Sequence, residues 1–208
     1  MADVFTVLAQ DHQEVKAMLA ELERGPTKAA GATADQLALR KKMTEQLIIE
    51  ESRHEALEEM YFWPAVRDHL ESGSTLAGQA TGQEQAAKHV LASLDKLGPD
   101  DAEFEELLAK FIMDAREHIE FEESQVWPLM RAALAAGASE ELGGKIAGGK
   151  KSAPTRPHPH TPPSPGVLKA AGPAVAAADK ARDAVTGRGD LAAARGHTDI
   201  SSGFPAQR

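Results

Sequence analysis

The stretch from His54 to Arg67 returns 64 residues further on, from His118 to Arg131, and this duplication limits the architecture more than any other feature of the chain. His54 falls on His118, Glu58 on Glu122, Glu59 on Glu123, Trp63-Pro64 on Trp127-Pro128 and Arg67 on Arg131. Upstream, Glu50 falls on Asp114. A fainter repeat at an offset of 72 puts Val15, Lys16, Leu19 and Leu22 on Ala87, Lys88, Leu91 and Leu94, and His12 on Glu84. Two such halves imply two similar helical hairpins whose equivalent residues meet across a pseudo-twofold axis.

The apolar spacing supplies the helices. Val4, Leu8, Val15, Leu19 and Leu22 predict a first helix over about residues 3–24, stopped by Gly25-Pro26. Thr33 and Gln36 have the form of a capping box and open a second helix reaching about residue 70, which Pro64 is expected to kink. A third helix follows over about residues 75–97. Asp100 and Glu103 signal the start of a fourth, which runs to about residue 136 with the kink repeated at Pro128. No run alternates apolar and polar residues as a half-buried strand does. The predicted fold class is therefore all-α, an antiparallel up-down-up-down four-helix bundle over residues 1–140.

Residues 141–208 turn to Gly, Ala, Pro and Ser, with Pro-His-Pro-His at 157–160, and read as a disordered tail. Charge changes sign at nearly the same place: residues 1–142 carry 13 Lys and Arg against 28 Asp and Glu, whereas residues 143–208 carry 10 against 4. The acidic first part argues against nucleic-acid binding and suits a cation-binding domain. Cysteine is absent, which removes disulfides, thiolate-held zinc and iron–sulfur clusters and leaves His, Asp, Glu and Tyr as metal ligands. The first residues lack a basic segment followed by a long apolar one, and no apolar run reaches membrane-spanning length. The expectation is a cytoplasmic protein with no membrane partner, its oligomeric state left open.

Residues four apart in a helix point the same way, so His54 with Glu58 and His118 with Glu122 each offer an imidazole and a carboxylate on a face shared with apolar positions. A carboxylate entering the core unpaired is too costly to keep, and a metal cation removes that cost. His12 lies on the apolar face of the first helix, and Glu84 lies on that of the third. A surface ion pair would explain one His–Glu pair but not two at matching places. Mixed imidazole and carboxylate ligands suit iron or manganese, with zinc a further candidate. With Glu58 and Glu122 bridging, the other four ligands divide two to each metal.

His12, His54-x-x-x-Glu58, Glu84 and His118-x-x-x-Glu122, with the Tyr-Phe-Trp-Pro and Val-Trp-Pro-Leu continuations, resemble the hemerythrin-like (HHE cation-binding) family over about residues 1–136. The resemblance implies a four-helix bundle holding two non-haem iron ions, oxo- or hydroxo-bridged, at the midpoint of the helices. By position it matches His12, His54, Glu58, His118 and Glu122 to family iron ligands. The third helix departs from the oxygen carriers, which place two His there; this chain has Glu84 and His89, five apart, and Glu84 is on the better face.

Tyr61, three residues after Glu58, is expected on the metal-facing side, where its hydroxyl would act on a bound oxygen species; its repeat partner is Gln125. A core aromatic is the alternative. Glu50 and Asp114, one turn before the matched His residues, are candidates to orient the imidazoles, with plain surface carboxylates as the alternative. His69, His158, His160 and His197 are read as lying outside the site. A carboxylate-rich centre favours ferric iron, so the leading expectation is a catalase-like reaction with hydrogen peroxide or related small oxidants. The alternatives are non-catalytic sensing of iron, dioxygen or nitric oxide, and oxygen storage.

Overall fold

The computed structural model describes residues 2–161 and 164–190. Helix α1 spans Val4–Arg24, and Asp3 caps it by accepting the Thr6 amide at 2.9 Å. Helix α2 spans Ala34–Leu57 behind the expected capping box, in which Gln36 Oε1 accepts the Thr33 amide and Thr33 Oγ1 accepts the Gln36 amide. It continues as a wide π turn over Glu58–Phe62 and then as α3, Trp63–His69. Helix α4 spans Gly73–Leu94. Helix α5, Ala102–Phe121, likewise passes through a π turn, Glu122–Val126, into α6, Trp127–Ala133. Its cap residue is Asp101, one later than expected, which accepts the Gly98 amide at 2.6 Å.

The two π turns are where the predicted proline kinks are realised. Pro64 and Pro128 carry no N–H, so the carbonyls four residues earlier lose their helical partner. In both copies the widened turn is closed one residue before the proline, where Trp63 donates to Glu58 O and Trp127 donates to Glu122 O.

Four rods result: α1, α2–α3, α4 and α5–α6. Contacts run from α1 to α2, from α2 and α3 to α4, from α4 to α5, and from α5 back to α1, which closes a ring. Inside it the apolar residues form two clusters. One gathers Val4, Leu8, Phe62, Trp63, Val66 and Met130, and the other gathers Leu19, Leu47, Leu91, Phe104, Leu108 and Phe111. Every rod crosses from one cluster to the other, and the buried polar residues lie at those crossings: His12 between Leu8 and Val15, Glu84 between Ala80 and Leu91.

The region expected to be a disordered tail is not one where it is described. Residues Ala136–Gly149 form α7, which lies along α1, and Pro165–Thr186 form α8, which packs on the π turn of the second rod. Leu142, Ile146, Ala153 and Leu168 are buried in the first cluster, and Ala176 is buried as well. Small residues replace bulk with close approach. Polar bonds add to this: Arg156 reaches Asp95 at 3.0 Å and Asp183 at 2.7 Å, Arg188 reaches Asp95 at 2.8 Å, and buried Asp179 accepts from the Thr155 amide at 3.3 Å. The expectation for residues 191–208 lies outside the described residues.

Gly143 lets the backbone of α7 approach the start of α1. A Cβ there would meet Ala2 O at 2.6 Å, Asp3 C at 2.7 Å and Val4 N at 2.8 Å, all backbone atoms, whereas one at Gly137 would meet nothing within 4 Å. Gly143→Ala should therefore cost about 1–3 kcal/mol in urea unfolding as α7 is forced off α1. Gly137→Ala should instead be neutral or stabilising by about 0.5–1 kcal/mol. Equal behaviour of the two variants would contradict this docking.

Candidate metal centre

The polar layer between the apolar clusters is built from the repeated residues. His12, His54, Glu58 and Glu122 form one group whose ligand atoms all lie within 4.8 Å of one another, and Glu58, Glu84, His118 and Glu122 form a second. Glu58 and Glu122 belong to both. The six side chains singled out from the sequence are thus brought together, with the two matched glutamates in the middle.

Their approach is not that of hydrogen-bonded pairs. His12 Nε2 stands 3.1 Å from Glu122 Oε2, His54 Nε2 3.2 Å from Glu58 Oε2, and His118 Nε2 3.2 Å from Glu122 Oε1. Each of these nitrogens is buried and lacks a hydrogen bond, as do both oxygens of Glu58, both of Glu122 and Glu84 Oε2. Buried polar atoms without partners are rare because each forfeits its hydration. Imidazole lone pairs and carboxylate oxygens converging without a shared proton fit a cation between them, and this donor set fits iron.

The outward-facing nitrogens of His12 and His118 are hydrogen-bonded, whereas that of His54 has no hydrogen-bond partner. His12 Nδ1 lies 2.9 Å from Glu123 Oε1, and its ring stacks on Trp127 with centroids 4.9 Å apart. His118 Nδ1 lies 3.0 Å from Gln83 Oε1. His54 Nδ1 faces Asp11 Oδ2 at 3.7 Å, and Trp63 Nε1 donates to Glu84 Oε1. These contacts fix which ring nitrogen points inward.

Charge in the layer is costly without a cation. Burial pushes the Glu58 carboxyl well above its ordinary range, and the charges of Glu122 and Glu84 push it further. Glu84 is raised in the same way, first by burial and then by Glu59 and Glu55. Burial also opposes the Glu122 carboxylate, but His118 and His12 outweigh it and hold that group well below the usual range. Burial lowers His54, whereas at His12 the Glu122 and Glu123 carboxylates overcome burial and raise it. A bound cation would relieve the repulsion among the carboxylates at one stroke.

The contacts decide between alternatives that the sequence leaves open. Glu50 does not orient His54: its Oε1 accepts from Gln46 Nε2 at 2.6 Å and from Arg53 at 3.0 Å. Asp114 pairs with Lys110. The positioning contacts come instead from Asp11, Gln83 and Glu123, each the chain neighbour of a residue in the cluster, which is the signal that could have found them. For Tyr61 the contacts favour the core-aromatic alternative: its half-buried ring lies beside Gly149, with Lys169 Nζ of α8 over it at 5.1 Å. The wide turn over residues 58–62 changes the angular step, so a three-residue spacing there no longer means a shared face. His89 is exposed, with its ring 6.0 Å from that of His160, and His69 is exposed as well. His158 is bonded to Asp179 at 2.9 Å, and His197 lies outside the described residues.

The repeat is also visible in the contacts. Lys16 of α1 bonds Glu123 at 2.7 Å, and its repeat partner Lys88 of α4 bonds Glu59 at 2.6 Å. His12 packs on Trp127, and its partner Glu84 accepts from Trp63. Each half therefore uses the other's continuation helix to hold its ligand.

The family model of the Hemerythrin HHE cation binding domain matches residues 3–130. Among solved structures, a hemerythrin HHE cation binding domain-containing protein from Mycobacterium kansasii superposes with a TM-score of 0.58 at 20% identity, covering 72% of this chain and 86% of that one. At that identity the likeness is one of fold. No curated protein gives a match to the chain. Taken with the convergent His and Glu residues, the match over residues 3–130 establishes that this chain belongs to the hemerythrin HHE cation-binding family.

Proposed function

We propose that the bundle is a non-haem di-iron protein that reacts with hydrogen peroxide or a related small oxidant. Its four rods, joined by short connections, alternate up and down so that each contributes to one layer. The observation that carries the reading is the pair of overlapping ligand groups sharing Glu58 and Glu122, with three carboxylates and no thiolate. His12 and His54 serve one half, and His118 and Glu84 serve the other. A bound iron pair would supply the redox equivalents for peroxide chemistry, and anionic oxygen ligands favour its ferric state.

The chain's own residues hold this site ready. Glu123 and Gln83 lock the inward tautomers of His12 and His118, Trp63 orients Glu84, and the two apolar clusters flank the layer on either side. No helix among the described residues is long and apolar enough to cross a membrane, in keeping with a cytoplasmic setting.

A second reading is non-catalytic sensing of iron, dioxygen or nitric oxide, or oxygen storage. The orientation of Tyr61 favours it, because the proton donor proposed from the sequence faces α8. Peroxide titration of the iron-loaded chain separates the two. An enzyme should turn over more than about 100 equivalents at constant iron content, on the scale of ordinary turnover numbers. A sensor should consume about one equivalent. Tyr61→Phe should leave the turnover within about twofold, whereas a positioned acid–base group would cost about 10²–10⁴-fold. A loss of that size would return Tyr61 to the mechanism.

A further inference from the structure

A cavity of about 210 Å3 opens between α2, α4 and α5 and ends on Glu84 and His118. A single water needs about 10–15 Å3 by the same measure, so the space takes a hydrated ion. Its acidic lining is graded by depth: Glu117 is exposed, Asp114 is half-buried, and Glu51 and Glu55 are buried. Lys110 is the cation of the lining, and it is paired with Asp114. Deeper in, Glu55 is 2% exposed and its Oε2 has no hydrogen-bond partner. The buried ammonium of Lys88 is bonded to Glu59 instead.

The opposite side of the centre is different. There a cavity of about 110 Å3 reaches His54, but Arg53 and Lys150 line it, and Lys150 bonds Asp11. That lining sets Asp11, Glu14 and Glu50 against Arg53 and Lys150 and is close to neutral, whereas the α2–α4–α5 cavity sets Glu51, Glu55, Glu84, Asp114 and Glu117 against Lys110. His118 is also the imidazole whose side chain keeps the most solvent access, 12% against 2% for His12 and 6% for His54.

We propose that the α2–α4–α5 cavity is the loading vestibule for divalent iron, with Glu55 and Glu51 as transient carboxylate ligands that pass the ion to Glu84 and His118. The proposal rests on the metal-centre reading above. Oxygen ligands of this type bind hard divalent ions while exchanging them readily, and a funnel of net negative charge raises the local cation concentration.

Anaerobic stopped-flow loading of the metal-free full chain with Fe2+, and in parallel with Co2+ as an optical probe, tests it. Glu55→Gln and Glu51→Gln should each load at least about tenfold more slowly, within the range of electrostatic steering, while reaching the wild-type stoichiometry and final spectrum. Glu117→Gln, an exposed change with no bearing on folding, should slow loading about twofold and flatten its dependence on salt. Wild-type rates in all three variants would overturn the vestibule and leave the centre standing. A lower final occupancy in Glu55→Gln or Glu51→Gln would make those residues permanent ligands and overturn the transit role. Failure of the wild-type chain to bind either ion would overturn the centre itself.

Discussion

On the proposed di-iron reading, Glu122→Ala should leave the chain with less than about a tenth of the metal that saturates the wild type. Glu122 is fully buried, stands within 3.2 Å of both His12 Nε2 and His118 Nε2, and belongs to both ligand groups. Losing a residue that merely orients a ligand typically costs about 10–100-fold in metal affinity, and losing a ligand shared by both ions should cost each of them more than that. Glu84→Ala removes a ligand from one group, so that variant should keep roughly half the metal, the other half-site staying complete. Metal analysis after desalting, read beside the helical signal, separates ligand loss from unfolding. A Glu122→Ala protein that stays folded with two ions bound would rule out the bridge.

The second large effect concerns the C-terminal helices. A chain ending at Ala135 loses Leu142, Ile146 and Leu168 from the first apolar cluster and uncovers the side of α1 and of the π turn on which α7 and α8 lie. Burying one large aliphatic side chain is worth about 1.5–3 kcal/mol, so these three alone represent at most about 4.5–9 kcal/mol, and roughly 5 kcal/mol once the surface that the unfolded chain already hides is discounted. Against a total stability of about 5–15 kcal/mol this is a large share. Midpoint temperature should fall by roughly 10–20 °C at about 2–4 °C per kcal/mol. Thermal melts of the metal-loaded full chain and the truncated chain measure it, and a difference below about 2 °C would mean that α7 and α8 contribute nothing to the bundle.

What the sequence made legible was whatever repeated. The offset of 64 located both His–Glu pairs and both Trp-Pro turns, and the capping box fixed the start of α2 to the residue. Glu84 was preferred to His89 because apolar neighbours define a face, and the structure puts Glu84 in the cluster and His89 outside. The reading failed where angle or partner, not composition, decides. A proline signals a lost donor, but whether the rod bends or widens depends on the neighbouring carbonyls, and the widened turn brings the Tyr61 ring beside α7 and α8. Residues 141–190 look too poor in bulky side chains to fold, yet glycines permit contact at backbone distance and arginines clamp two helices through Asp95 and Asp183. Neither device has a periodicity to read.

The cover formed by α8 acts on one half of the duplication. Lys16–Glu123 and Lys88–Glu59 are counterparts by descent, yet the side chains of the first are 44% and 31% exposed and those of the second 8% and 1%. The lining of the small cavity beside Glu59 and Lys88 includes Leu168 of α8. The structure thus covers one copy of the repeated contact with α8 and leaves the other at the surface. In water such a pair is nearly expendable, whereas in the interior the loss of either partner strands a charge. Two copies of one ancestral contact now tolerate change to very different degrees, and the halves are no longer free to diverge at the same pace.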